Sequence, residues 1–159
     1  MMEEKEKAWK TVSSKYLFRR PWLTVRCEDM LLPNGNHIPE YYILEYPDWV
    51  NTIAITKDGK FVFVRQYRPG LGRTSYELCA GVCDKEDASP LVSAQRELWE
   101  ETGYGKGNWR EYMVISANPS THTNLTHCFL ATDVEPIDHQ HLEDTEDLSV
   151  HLLTFEEVK

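Results

Sequence analysis

The chain has 159 residues, 41% of them apolar and 27% charged, which suits a single soluble domain with a packed core and excludes the disordered class. Its net charge is −9, its basic residues are scattered, and no apolar run approaches the ~18 residues of a membrane span. Neither nucleic acid nor membrane is therefore an expected partner, and an anionic substrate would need a metal cation to mediate the meeting.

The charged start MMEEKEKAWK is unlike a signal peptide, and Cys27, Cys79, Cys83 and Cys128 include no CxxC pair; both point to a reduced, cytoplasmic protein. WLTVRCEDML and HIPEYYILEY then flank the turn Pro33-Asn34-Gly35-Asn36. They predict an antiparallel pair, with Pro39 demanding an edge position because it has no N–H to give a ladder. In NTIAITKDGKFVFVRQYR, Asp58-Gly59 between two β-rich runs predicts a hairpin closed by a two-residue type I′ turn.

A polar loop with Pro69, Gly70, Gly72 and Arg73 leads to a strand at SYELCA ending on Gly81. Further strands are expected from Arg110, Thr126 and Leu148. One strong helix is expected, capped by Ser89, started by Pro90 and stopped at Gly103, with a second beginning at Phe155. Many strands and one dominant helix define an α+β class. We expect one domain over residues 1–159, with an N-terminal β region to about residue 50 and a core from residue 51.

The strong helix ends in RELWEETGY. On a 3.6-residue period Leu91, Ala94 and Leu98 share the stripe expected to face the core, while Ser93, Glu97, Glu100 and Glu101 share another. The end of a helix carries roughly half a negative charge, so acids there cost about 0.3–1 kcal/mol each when exposed, and like charges three or four apart add to that. Arg96 neutralises part of the charge on Glu100. A solvated acidic face is the ordinary reading of such a pair. A hard divalent cation is the alternative that turns repulsion into attraction, because it prefers carboxylate oxygens and keeps sites open for water and phosphate.

Arg96, Glu97, Leu98, Glu100, Glu101, Gly103 and Tyr104 resemble the second half of the Nudix hydrolase signature, Gly-x5-Glu-x7-Arg-Glu-U-x-Glu-Glu-x-Gly-U, with U a bulky apolar residue. The first half departs from it. Gly81 is a natural opening glycine, but counting back from Arg96 puts Ala88 where the family has Glu, and counting forward puts Asp87 there. The loop GVCDKEDASP therefore carries one extra residue, with Asp87 or Glu86 as the substitute acid.

FVFVRQYRPG, YELCAGV and the acidic HLEDTEDLSVHLLTFEEV resemble the ADP-ribose and nucleoside-diphosphate-sugar pyrophosphatases of that family, with Cys79 in place of a proline. The segment ANPSTHTNLTH from Ala117 departs from the family's Ser-Pro-Gly. The resemblance implies a Nudix fold, a mixed sheet sandwiched by helices. It also implies hydrolysis of ADP-ribose or a related nucleoside diphosphate sugar, with magnesium, or manganese, as cofactor, and a homodimer.

By the same resemblance Glu97 and Glu101 are metal ligands, Glu100 helps directly or through water, and the Ala80 carbonyl adds an oxygen. The general base is expected in the late acidic loop, at Glu146 or Asp144 with Glu143 third. Arg68 and Gly81 are expected at the substrate, Arg68 as a phosphate fork or else a surface ion pair. Trp99 reads as packing. His122 with His127, and His139 with His141, lack structural-zinc context and read as ordinary polar residues. A binding module that keeps the fold without turnover is the competing function, supported by the two altered loops and opposed by the intact acids.

Overall fold

The computed structural model describes residues 7–159; the first six residues of the charged start lie outside them. The chain forms two compact units, Met1–Tyr46 with Ser116–Asn124, and Pro47–Ile115 with Leu125–Lys159.

In the first unit, β1 (Lys10–Arg20), β2 (Leu23–Leu31) and β3 (His37–Glu45) form an antiparallel sheet in that order. The expected hairpin is β2–β3, turning where Gly35 takes a φ of 86°. Pro39 lies on edge strand β3 where the pairing slips between Glu28 and Met30, a bulge that spares the ladder a missing donor. Strand β1 was not foreseen. All eleven of its residues are exposed, so no buried face imposes the alternation by which a strand is read; pairing with β2 across Pro21-Trp22 makes it one. Ser116–Asn124 adds to β3 through Leu44 N–H to Thr121 O at 2.8 Å and Thr123 N–H to Leu44 O at 3.1 Å.

The second unit holds β4 (Trp49–Thr56), β5 (Phe61–Arg68), β6 (Arg73–Glu77), β7 (Cys79–Val82), α1 (Pro90–Thr102), β8 (Tyr104–Gly105), β9 (Asn108–Ile115), β10 (Thr126–Pro136), β11 (Leu148–Leu153) and α2 (Phe155–Val158). Strands run β11-β5-β4-β10-β8, with β6 on β5, β7 on β4 and β9 on β10. Only β4 and β10 pair in parallel, so the sheet is mixed and the α+β expectation holds. In β4 every second residue is buried, Val50, Thr52, Ala54 and Thr56, because neighbours on both edges leave only the faces to differ. Ala54, Val62, Cys79, Leu98, Ala131 and Val134 form one core cluster, and Val50, Ala94 and Phe129 another.

Three expectations need correction. The β4–β5 connection is not a type I′ turn: Gly59 has φ 79° while Asp58 is not left-handed. Gly59 N–H bonds Thr56 O and Thr56 N–H bonds Lys60 O, both at 2.9 Å. That is the three-residue loop with a glycine bulge, which needs only one positive φ. SYELCA is not one strand but two, broken at Leu78, with β6 staying on β5 and β7 crossing to β4. Finally Leu91 is exposed, whereas Ser93 and Glu101 are buried beside Ala94 and Leu98. The buried stripe of α1 thus includes part of the face assigned to the acids.

Candidate functional site

Helix α1 begins as its sequence requires. The Ser89 side chain accepts from Val92 N–H and Pro90 occupies the first turn. It ends at Gly103, whose φ of 73° suits a residue without Cβ and whose N–H returns to Trp99 O at 2.8 Å. The strand that crosses beneath it is β7. A methyl group on Gly81 would overlap the Glu97 carboxylate, so this glycine serves close approach of strand and helix rather than an unusual backbone angle. One turn further on, Ala80 N–H donates to Glu101 Oε2 at 3.2 Å.

Around these acids the charges are unequally satisfied. Arg96 donates to Glu97 at 2.9 Å, to Glu100 at 3.0 Å, to Asp87 at 3.0 Å and to Val82 O at 3.0 Å, and pairs with Asp84 at 3.1 Å. Burial alone would lower its pKa, but these partners, led by Asp87, raise it. Asp87 is held below the usual carboxylate range chiefly by Arg96. Of the two acids expected in the longer loop, it is Asp87 that meets Arg96.

Glu97 is pushed up by burial, only partly offset by Arg96. Glu101, 4% exposed, is pushed up to about 7 by burial first, with the Cys79 and Ala80 hydrogen bonds opposing and the charges of Glu97 and Glu146 adding. Cys79 is itself driven well above an ordinary thiol by burial and then by Glu101.

Beside this edge lies a cleft of about 910 Å³ lined by Trp49, Asn51, Arg68, Leu71, Ala80 and Gly81 among others. Arg68 does not stand free there. Its Nε and Nη2 grip Glu77 at 2.9 and 2.7 Å. Glu77 raises its pKa, and the charge of Glu101 contributes too.

Of the late-loop acids, Glu146 adds its charge to the causes that raise Glu97 and Glu101, after burial and the nearer groups. Its Oε2 accepts from Glu143 N–H at 2.9 Å, closing the turn, and Glu143, Asp144 and Glu146 are all exposed. The structure thus brings Glu97, Glu100, Glu101, Ala80 and Gly81 together, lines the adjoining cleft with Arg68, and leaves Glu143, Asp144 and Glu146 at the surface. Sequence reasoning missed Glu77 as the partner of Arg68 and Trp49 as a cleft wall. Glu77 sits in the quoted YELCAGV and carried a signal; Trp49 carried none.

The donor set is carboxylate and carbonyl oxygen, partly desolvated, and this chemistry fits a hard divalent cation. A buried carboxylate with only thiol and amide donors lacks a cationic partner, which such an ion supplies.

Comparison with known proteins agrees. Residues 46–159 match the family model described as the NUDIX domain, and residues 9–44 match the nucleoside diphosphate sugar hydrolase N-terminal domain. The chain belongs to the Nudix family. It is 31% identical over 149 residues to an ADP-ribose pyrophosphatase of Bacillus subtilis (strain 168), covering 93% of this chain and 80% of that one. It is 33% identical over 122 residues to a methanol dehydrogenase activator of Bacillus methanolicus, covering 77% of this chain and 65% of that protein. A crystal structure of an ADP compounds hydrolase superposes with a TM-score of 0.80 at 22% identity, covering 93% of this chain and 79% of that one. That likeness confirms the Nudix fold.

Proposed function

We propose that the chain hydrolyses the pyrophosphate bond of ADP-ribose or a related nucleoside diphosphate sugar, releasing a nucleoside monophosphate and a sugar phosphate. Magnesium is the working ion and manganese its substitute. The observation that carries this is the convergence of Glu97, Glu100 and Glu101 on the Ala80–Gly81 edge beside an open cleft. A divalent ion, when bound, screens the pyrophosphate oxygens and polarises phosphorus for attack by water.

Glu97 and Glu101 hold the ion, and Glu100 joins them directly or through water. The Ala80 carbonyl adds an oxygen, since N–H and C=O of one residue leave an antiparallel strand on the same side and the N–H meets Glu101. Arg96 fixes the angle of Glu97 and Glu100 and ties both to the Asp87 loop. Glu146 takes the proton from the attacking water, with Asp144 as the alternative base. Its charge at Glu97 and Glu101 supports a place near the reacting water. Arg68, oriented by Glu77, turns its remaining donors to a substrate phosphate, and Gly81 keeps the floor of the site low.

The N-terminal and Nudix matches abut at residues 44 and 46, so the hydrolase proposed over residues 1–159 combines an N-terminal β region with a Nudix core. The exposed Val12, Phe18 and Trp22 support a homodimer formed through the N-terminal sheet. Four free cysteines, three of them buried, support a reducing, cytoplasmic setting.

The test is phosphorus NMR of the protein with magnesium and a panel of nucleotide sugars. Two phosphomonoester products should appear from at least one member. Glu101→Gln should stay folded and lose turnover by orders of magnitude. Binding without cleavage of any member would overturn the proposal in favour of a binding module.

A further inference from the structure

We propose that Asp138, His139 and His141 form a separate site for a borderline divalent transition ion such as zinc, at the C-terminal end of α1. The three residues offer two imidazole nitrogens and a carboxylate oxygen, all within 4.8 Å of one another. His139 Nδ1 lies 2.7 Å from Asp138 Oδ1, and His141 Nε2 lies 3.0 Å from Asp138 Oδ2. The carboxylate therefore already joins one nitrogen of each ring, and the rings themselves lie 4.3 Å apart, centroid to centroid. A tetrahedral zinc held by three such ligands at about 2.0–2.2 Å leaves one position to water, and the His139 side chain, 79% exposed, has open space in which to turn toward it. Two imidazoles select zinc, nickel or copper over magnesium, so this donor set is chemically distinct from the all-oxygen glutamate cluster.

A second observation concerns what holds the loop. Ile137 and Asp138 N–H groups donate to Gly103 O at 2.9 and 3.1 Å, and His141 N–H donates to Glu100 O at 2.8 Å. Gln140 Nε2 reaches Glu101 O at 2.7 Å. The Trp99 ring lies 4.2 Å from the His141 ring, centroid to centroid. The backbone on both sides of the ligands is thus pinned to the last turn of α1, so metal binding has little loop entropy to overcome. The position also suits a cation, because the negative end of the helix dipole lies there. Spacing alone revealed only His-x-His; the third ligand became evident when the fold brought Asp138 to a nitrogen of each ring.

The test titrates zinc chloride into isotope-labelled protein in excess magnesium while following the imidazole nitrogens. Resonances of His139 and His141 and the indole of Trp99 should shift on one equivalent of zinc, and those of His37 and His151 should not. The His139→Gln/His141→Gln double variant should weaken zinc binding by at least the ~10–100-fold that follows loss of even a ligand's supporting partner. It should keep its circular dichroism and its magnesium-dependent turnover. The Glu97→Gln/Glu101→Gln variant should still bind zinc at the loop, which separates this site from the proposed catalytic one. Silent imidazoles in the wild type, or zinc lost only when the glutamates are replaced, would overturn the proposal.

Discussion

At the scale of single residues, the buried Glu101 carboxyl gives the metal-free protein one pH-dependent contribution to stability. Its carboxyl rises from 4.5 to about 7 in the fold, so the folded state holds a proton that the unfolded chain releases. The sign follows. Stability that depends on this proton is present below about pH 4.5 and is lost as pH climbs to about 7, a difference on the order of 3 kcal/mol. With chelator present, the urea midpoint of wild type relative to Glu101→Gln should therefore fall between pH 5 and 7.5. Magnesium should restore it most at the upper end, where the carboxylate is ionised. A relative midpoint that stays flat or rises with pH would remove the buried, cation-starved carboxylate from the account.

The elements show why acids are tolerated where a bare helix would reject them. The last carbonyls of α1 are not orphaned: Glu100 O, Glu101 O and Gly103 O accept donors from Ile137, Asp138, Gln140 and His141. The cost of the acids is also shared with Arg96, whose five oxygen partners include both ends of the loop between β7 and α1. What remains is a close crossing of strand and helix at Gly81. Gly81→Ala should displace the Glu97 carboxylate by about the bulk of a methyl group. It should lower kcat/KM by ~10²-fold, the size expected when a catalytic group is misplaced by about 1 Å. Circular dichroism should remain that of the wild type. A fully active Gly81→Ala enzyme would show that Glu97 need not lie against the strand.

For the whole molecule, the N-terminal sheet poses the question of what covers it. Strand β1 is exposed along its length, with Trp22 79% exposed at its turn, more apolar surface than an isolated sheet usually leaves to water. Light scattering should give twice the 18.6 kDa chain mass. Phe18→Glu with Trp22→Glu should shift that mass toward the single chain. A wild type that runs as a monomer at micromolar concentration would exclude the homodimer.

The helix, its cap at Ser89, its stop at Gly103 and the trio Glu97, Glu100 and Glu101 were determined by local sequence. Spacing on a helix and the chemistry of caps are short-range physics, legible within a dozen residues. Strand β1, the break at Leu78 that hands the chain from β5 to β4, and the partnership of Arg68 with Glu77 were decided only by tertiary structure. So were the pairing of Asp87 with Arg96 and the contact of Asp138 with two imidazoles. Each depends on which distant segment lies alongside, and strand pairing and desolvation act between residues that the linear order does not bring together.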